Sequence, residues 1–90
     1  MLKQQKVTML TDAQELQINS VEKYTHDYEA EAMQSFDNTG DDKMEELQAR
    51  FEADIKFDAQ DDIGGIVTYF KADKLVAFYD YENFKGAEFA

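Results

Sequence analysis

Carboxylates are the side chains with which this sequence could do chemistry. Of its 20 acidic residues, ten fall between positions 37 and 62, where three basic residues leave a net charge of −7. The segment before it (six acids, three lysines) carries −3 and the segment after it (four acids, three lysines) carries −1. A dense set of carboxylates can support acid–base catalysis, divalent cation binding or electrostatic recognition of a basic partner.

Recognition of a basic partner is the chemistry that this set suits best. A nucleic-acid duplex carries one charge per about 1.7 Å of its axis, so a protein that imitates it needs many carboxylates on one face. We predict an acidic surface that occupies the basic, nucleic-acid-binding surface of a partner protein, formed by Asp41, Asp42, Glu45, Glu46, Asp58, Asp61 and Asp62. A simpler interpretation stays open, because acids in a first helical turn complement the helix dipole and acidic surfaces keep proteins soluble.

The acidic turn after position 36 begins like a calcium-binding loop, but its later positions depart from that pattern. An EF-hand loop has glycine at its sixth position and a bidentate glutamate at its twelfth. Counted from Asp37, these positions hold Asp42 and Gln48. Counted from Asp58, the sixth position is Ile63. We therefore predict no metal site and no cofactor, and interpret both segments as turns with solvated acids.

Nucleophilic catalysis has few residues to draw on. The chain has no cysteine, a single histidine, His26, and two serines. No spacing places Ser35, His26 and Asp27 in a catalytic arrangement. The pair Gly64-Gly65 lacks the lysine and hydroxyl residue that follow in a phosphate-binding loop. We predict that the protein is not an enzyme, while a small enzyme or ligand carrier that uses carboxylates stays open as an alternative.

Seven of the twelve aromatic residues lie after position 62, in a segment with the composition of β-strands. Residues 66–70 and 75–81 are rich in β-branched and aromatic types, and residues 71–74 join them closely enough for a hairpin. If Lys71 pairs with Lys74, both faces of this hairpin are apolar. Helices on both sides would cover them, and so would a homodimer, since large exposed apolar patches mark interfaces.

The expected register of this hairpin defines a candidate self-association face. On one side, Phe70 pairs with Leu75 and Thr68 with Ala77. The predicted pairs on the other side, which a second copy would bury, are Val67 with Phe78 and Tyr69 with Val76.

Hydrophobic spacing predicts the elements that position these residues. Met44, Leu47 and Phe51 recur at intervals of three and four, which predicts a helix that ends near Asp54. Residues 55–59 alternate apolar and polar side chains and predict a strand, and residues 61–65 predict a loop. In residues 7–36 we favour a strand at 7–10, a second strand to about position 20 and a helix over 21–36. The tail from 83 to 90 is expected to dock through its phenylalanines.

Composition bounds the class of protein. Ninety residues make one small domain over 1–90, and the longest uncharged apolar stretch, residues 63–70, is far below the roughly 20 residues of a membrane span. The net charge of −11 repels nucleic acid and anionic lipid. We expect an α+β fold in the cytoplasm: a mostly antiparallel sheet of three to five strands with one or two helices packed on one face.

These observations predict a small, acidic, non-enzymatic binding protein of inhibitor or immunity type. Its partner would be a protein with a basic surface, and neither nucleic acid nor a membrane is expected to bind. The alternative is a structural homo-oligomer with no target beyond itself, which the apolar hairpin would explain.

Overall fold

The computed structural model describes residues 10–89, and these form three helices and one five-stranded sheet. All neighbouring strands are antiparallel, in the order β1-β5-β4-β3-β2. The predicted α+β class is therefore confirmed, with three helices where one or two were expected. The elements are α1 (Asp12–Asn19), β1 (His26–Asp27), α2 (Glu29–Thr39), α3 (Met44–Ala53), β2 (Ala59–Ile63), β3 (Ile66–Lys71), β4 (Lys74–Asp80) and β5 (Lys85–Glu88).

Tight turns join β2, β3 and β4. Gly64 and Gly65, with φ of 57° and 92°, connect β2 to β3, while Ala72 and Asp73, with φ of 52° and 66°, connect β3 to β4. Positive φ at both central residues is the condition for a type I′ turn, whose twist matches that of the flanking strands. The backbone N–H of Ala72 also donates to Oδ2 of Asp58 (3.1 Å), so this carboxylate stabilises the second turn.

The β3–β4 hairpin keeps the predicted turn but loses the predicted register beyond it. Lys71 pairs with Lys74 and Phe70 with Leu75, as expected. A β-bulge then shifts the register next to Phe70, so β4 contributes one extra residue. The predicted pairs Thr68–Ala77, Val67–Phe78 and Tyr69–Val76 are therefore wrong, because a run that is apolar throughout is compatible with either register. The observed pairs are Tyr69–Ala77, Thr68–Phe78, Val67–Tyr79 and Ile66–Asp80.

Both faces of the sheet are covered by the chain itself. On one face, α3 contributes to a cluster of buried side chains: Phe51, Ile55, Val67, Tyr69, Ala77 and Tyr79. On the other face, the ring of Phe78 meets the rings of Tyr24 (6.1 Å) and Phe89 (5.9 Å). On this face, too, Ile18 of α1 lines a cavity of about 160 Å³ together with Thr68 of β3.

Residues 12–19 form a helix, so the predicted strand to position 20 is wrong. Thr11 caps this helix: its Oγ1 accepts from the backbone N–H of Gln14 (3.1 Å), and its own N–H donates to Oε1 of Gln14 (3.0 Å). This capping box satisfies two backbone donors that a helix start otherwise leaves free. It outweighs the strand-like alternation of Leu16 and Ile18.

Helix α2 begins at Glu29, so the first eight residues of the predicted helix over 21–36 are not helical. The chain there forms β1 instead, where His26 pairs with Gly86. The backbone N–H of Tyr28 donates to the carbonyl of Phe84 (2.8 Å). These partners are almost sixty residues away in sequence, so local periodicity does not show them. Helix α3 occupies Met44–Ala53, as predicted.

The predicted strand at 55–59 and loop at 61–65 are displaced: β2 runs over Ala59–Ile63. Ile55 and Phe57 alternate because both enter the core from the connecting segment, with the Phe57 ring 4.8 Å from that of Tyr69. The expected docking of the tail takes the form of β5, which lies between β1 and β4. The predicted strand at 7–10 lies outside the described residues except for its last position. Within residues 10–89, each helix is too short or too polar to cross a bilayer.

Candidate functional site

The seven predicted partner-binding carboxylates fall into two groups. Asp58, Asp61 and Asp62 lie at or beside β2, an edge strand of the sheet. Asp61 and Asp62 are consecutive strand residues and therefore point to opposite faces. The structure thus does not bring all seven onto one face. The other four line one depression of about 460 Å³, where α2 meets α3: Asp41, Asp42, Glu45 and Glu46.

We call residues 37–46, which end α2 and begin α3, the acidic corner. Gly40 ends α2 with a φ of 79°, and Lys43 precedes α3 with a φ of 62°. Oδ1 of Asp41 accepts from the N–H of Lys43 (3.0 Å), and Oδ1 of Asp42 accepts from the N–H of Met44 (3.0 Å). Helix starts leave such donors without intrahelical partners, so both carboxylates stabilise the corner in addition to charging it.

Two cations neutralise part of the charge at this corner. Nη1 of Arg50 donates to Oε1 of Glu31 (2.8 Å) and its Nη2 donates to Oε2 of Glu46 (3.4 Å). Nζ of Lys43 lies 3.8 Å from Glu31 and 3.9 Å from Glu46. The hydrogen bond from Arg50 lowers the pKa of Glu31 below its usual range. Among described residues, three carboxylates of the depression make no ion pair: Asp41, Asp42 and Glu45.

An apolar depression of about 200 Å³ adjoins the acidic one. Its apolar lining comes from Ala32, Met33, Phe36 and Phe84, and its acidic lining from Asp37 and Asp42. Met33 and Phe36 are 59% and 58% exposed, which is high for large apolar side chains. Because Asp42 lines both depressions, the two form one continuous surface.

Our sequence reasoning missed Met33 and Phe36, although a signal for them exists. The two residues are three positions apart on α2 and therefore share one side of the helix. The only residue of α2 that is buried is Ala32. A helix that has more apolar side chains than it buries has an unpartnered apolar side.

The predicted self-association residues are mostly inside the chain. Val67 and Phe78 are 2% exposed, Tyr69 is 0% exposed, and Val76 is half-buried. Val67 and Tyr69 pack in the core under α3. Three of these four side chains therefore have almost no surface to present to a second copy.

His26 lies where three elements meet. Its Nε2 is 3.5 Å from Oε2 of Glu88 on β5 and 3.8 Å from Oδ2 of Asp54 at the end of α3. Its Nδ1 is 2.9 Å from Oγ1 of Thr25, and its ring meets that of Phe51 edge-on. Across residues 10–89, no three histidine, aspartate or glutamate side chains come together in a way that could hold a metal ion.

Three tyrosine hydroxyls are enclosed by the packing of α2 and α3 on the sheet. The hydroxyl of Tyr69 donates to Oε2 of Glu52 (2.8 Å), which also accepts from Nε2 of Gln48 (3.2 Å). The hydroxyls of Tyr28 and Tyr79 are buried and have no hydrogen-bond partner among described residues. Burial raises the pKa of all three phenols.

Comparison with known protein families, curated proteins and solved structures finds no match to this chain. The class that can be assigned is structural: a small acidic α+β protein whose five-stranded antiparallel sheet packs between helices.

Proposed function

We propose that this is a non-enzymatic binding protein of inhibitor or immunity type, which uses its acidic corner to occupy a basic surface of a partner protein. The observation that supports this most directly is that four carboxylates line one depression beside exposed apolar side chains. The acidic corner holds five acidic residues and one lysine, a net charge of −4. Negative charge this dense favours a cationic partner and repels nucleic acid and anionic lipid.

The charge of the corner acts mainly on association rate and specificity. Complementary charges steer the encounter of two proteins and exclude partners of the wrong sign, and salt screens both effects. Nucleic-acid-binding surfaces are the proposed target class, because they present lysine and arginine side chains spaced for phosphates. Carboxylates at the corner would occupy those side chains and so block access of the nucleic acid.

The homo-oligomer alternative draws less support from the structure. Three of the four side chains expected to form its interface are buried within one copy. The acidic corner would also repel the same corner of a second copy.

A variant that removes charge without removing hydrogen-bond acceptors tests the proposal. We would change Asp41 and Asp42 to Asn, and Glu45 and Glu46 to Gln, which lowers the negative charge by four. Asn keeps the side-chain oxygens that accept from the backbone at the start of α3. The matched control removes four exposed acids elsewhere: Glu15→Gln, Glu22→Gln, Asp73→Asn and Glu82→Gln.

The wild-type protein and both variants would serve as baits in nuclease-treated host lysate, and the affinity of the captured protein would then be measured at several salt concentrations. We expect a basic partner that the control retains and the corner variant loses, with affinity that falls steeply with salt. If both variants retain the partner equally, or the control also loses it, the acidic corner is not the binding site.

A further inference from the structure

We infer that the apolar depression beside the acidic corner binds one apolar side chain of the partner, flanked on the partner by lysine or arginine. This inference rests on the proposed function and deepens it, because it specifies the chemistry of the partner's surface. The depression is lined by Met33, Phe36 and Phe84, with Asp37 and Asp42 at its acidic side.

The size of the depression favours a single side chain over a cofactor or metabolite. Its volume is about 200 Å³, whereas sites for small molecules usually enclose about 300–1,000 Å³. Protein interfaces gain much of their affinity from a few apolar anchors that enter pockets and lose contact with water. Met33 suits such a pocket, because the unbranched methionine side chain adapts its shape to what it contacts.

The wall formed by Phe84 is held in place by the fold. Phe84 has a φ of 60°, a conformation that residues other than glycine rarely adopt. Its carbonyl accepts from the N–H of Tyr28 at the start of α2 (2.8 Å), which joins the β4–β5 turn to that helix. Ala32, which lies deeper in the same helix, is fully buried. A preformed depression binds an anchor without a large cost in ordering.

Charge selects among the occupants that an apolar depression could take. Asp37 and Asp42 line it, and the unpaired carboxylates of the acidic corner continue from it. A second copy of this chain would bring the same negative charge, and an anionic membrane would be repelled in the same way. An apolar side chain between lysines or arginines satisfies both parts of the surface.

Defined peptides test this inference without knowledge of the natural partner. The first probe is a lysine-rich peptide with alanine spacers and one central phenylalanine. The second has alanine in place of the phenylalanine, and the third has glutamate in place of every lysine. Binding would be followed by the methyl resonances of protein labelled at methionine, because Met33 lines the apolar depression and Met44 the acidic one.

We expect the phenylalanine peptide to bind about tenfold more tightly than its alanine counterpart, as anchors of this kind usually do. It should shift the Met33 methyl resonance, while the alanine peptide shifts mainly that of Met44. Phe36→Ala should abolish this preference for phenylalanine. The control Leu16→Ala should retain it, because Leu16 is 67% exposed on α1 and does not line the apolar depression.

The outcomes separate this inference from the proposed function. If neither lysine peptide binds, or if Phe36→Ala keeps the full preference for phenylalanine, the anchor site is wrong. If both lysine peptides bind equally and the corner variant abolishes both, the acidic corner functions without the anchor. If the glutamate peptide binds as well as the lysine peptides, the electrostatic function itself fails.

Discussion

The ring of Phe51 packs directly on the backbone of Gly86. A Cβ atom at position 86 would lie 2.5 Å from Cε1 of Phe51 and 2.9 Å from its Cδ1. Phe51 is fully buried, and its ring centroid lies 5.1 Å from that of Tyr79 in a stacked arrangement. This contact joins α3, whose first turn belongs to the acidic corner, to β5 at the centre of the sheet.

Gly86→Ala should therefore lower the free energy of unfolding by about 1–3 kcal/mol, which is typical when extra atoms enter a packed core. Urea unfolding measures the change. The ring of Phe51 cannot move away easily, so the cost should shrink when Phe51→Leu is added, and the two substitutions should be strongly non-additive. Additive effects would show that the close contact between ring and backbone is not the cause.

Two core tyrosines should respond in opposite ways to the loss of their hydroxyl groups. Tyr69→Phe breaks the hydrogen bond to the partly buried carboxylate of Glu52 and should cost about 1–3 kcal/mol, the usual range for bonds to charged groups. Tyr79→Phe removes a buried hydroxyl that has no hydrogen-bond partner among described residues, so stability should stay equal or rise. Urea unfolding of both variants compares them, and an equal loss at the two positions would contradict this account.

The pKa of Glu31 makes one contribution to stability depend on acid pH. The hydrogen bond from Arg50 lowers this pKa from its ordinary value of 4.5. Because the folded-state pKa is the lower one, the contribution is present above pH 4.5 and is lost as the pH falls through the folded-state pKa. Glu31→Gln should therefore reduce the urea midpoint at neutral pH and reduce it less in strong acid. The control Glu22→Gln, at an exposed position, should show no such pH dependence, and equal losses for Glu31→Gln at both pH values would contradict the assignment.

Alkaline pH should destabilise the fold through its enclosed tyrosines. Burial raises the pKa of Tyr69 and Tyr79 above the ordinary value of 10.0. For groups whose folded-state pKa is raised, the contribution is complete below the unfolded pKa and is lost as the pH rises through the folded one. Urea unfolding should therefore show stability falling above pH 10, and less steeply in Tyr79→Phe. Ultraviolet detection of tyrosinate at all tyrosines without loss of structure would contradict this prediction.

The carboxylate of Asp42 should matter for stability as an acceptor more than as a charge. Asp42→Ala leaves the N–H of Met44 without its partner and should cost about 0.5–2 kcal/mol, as the loss of helix caps does. Asp42→Asn keeps an oxygen in the same place and should cost much less. Thermal or urea unfolding measures both, and equal costs for the two would show that the negative charge itself stabilises the start of α3.

Several elements of this protein follow from signals within a few residues. The apolar stripe of Met44, Leu47 and Phe51 predicted α3 correctly, and the short connection between residues 70 and 75 predicted the first pairs of the β3–β4 hairpin. The capping box at Thr11 was equally local, but the alternation of Leu16 and Ile18 led us to a strand instead. Here the capping hydrogen bonds were the better guide, because they stabilise a helix start directly.

The candidate site was predictable only in part. The acidic residues at positions 41–46 lie together because a helix start places successive side chains close to one another. Asp58, Asp61 and Asp62 belong to a different part of the surface, since β2 begins later than alternation indicated. The exposure of Met33 and Phe36 depends on which side of α2 packs on the sheet, and composition does not determine this.

The sequence by itself thus determined the α+β class, the negative charge and its concentration before position 63, because composition and short-range periodicity are local properties. Only the tertiary structure decided that residues 85–88 form a central strand, that a bulge shifts β3 against β4, and that four of the seven carboxylates adjoin an apolar depression. These features depend on contacts such as His26 with Gly86 and Phe84 with Tyr28, which join residues far apart in the chain. Burial and backbone pairing between distant segments outweigh local preference there, because they satisfy many more groups than any local pattern can.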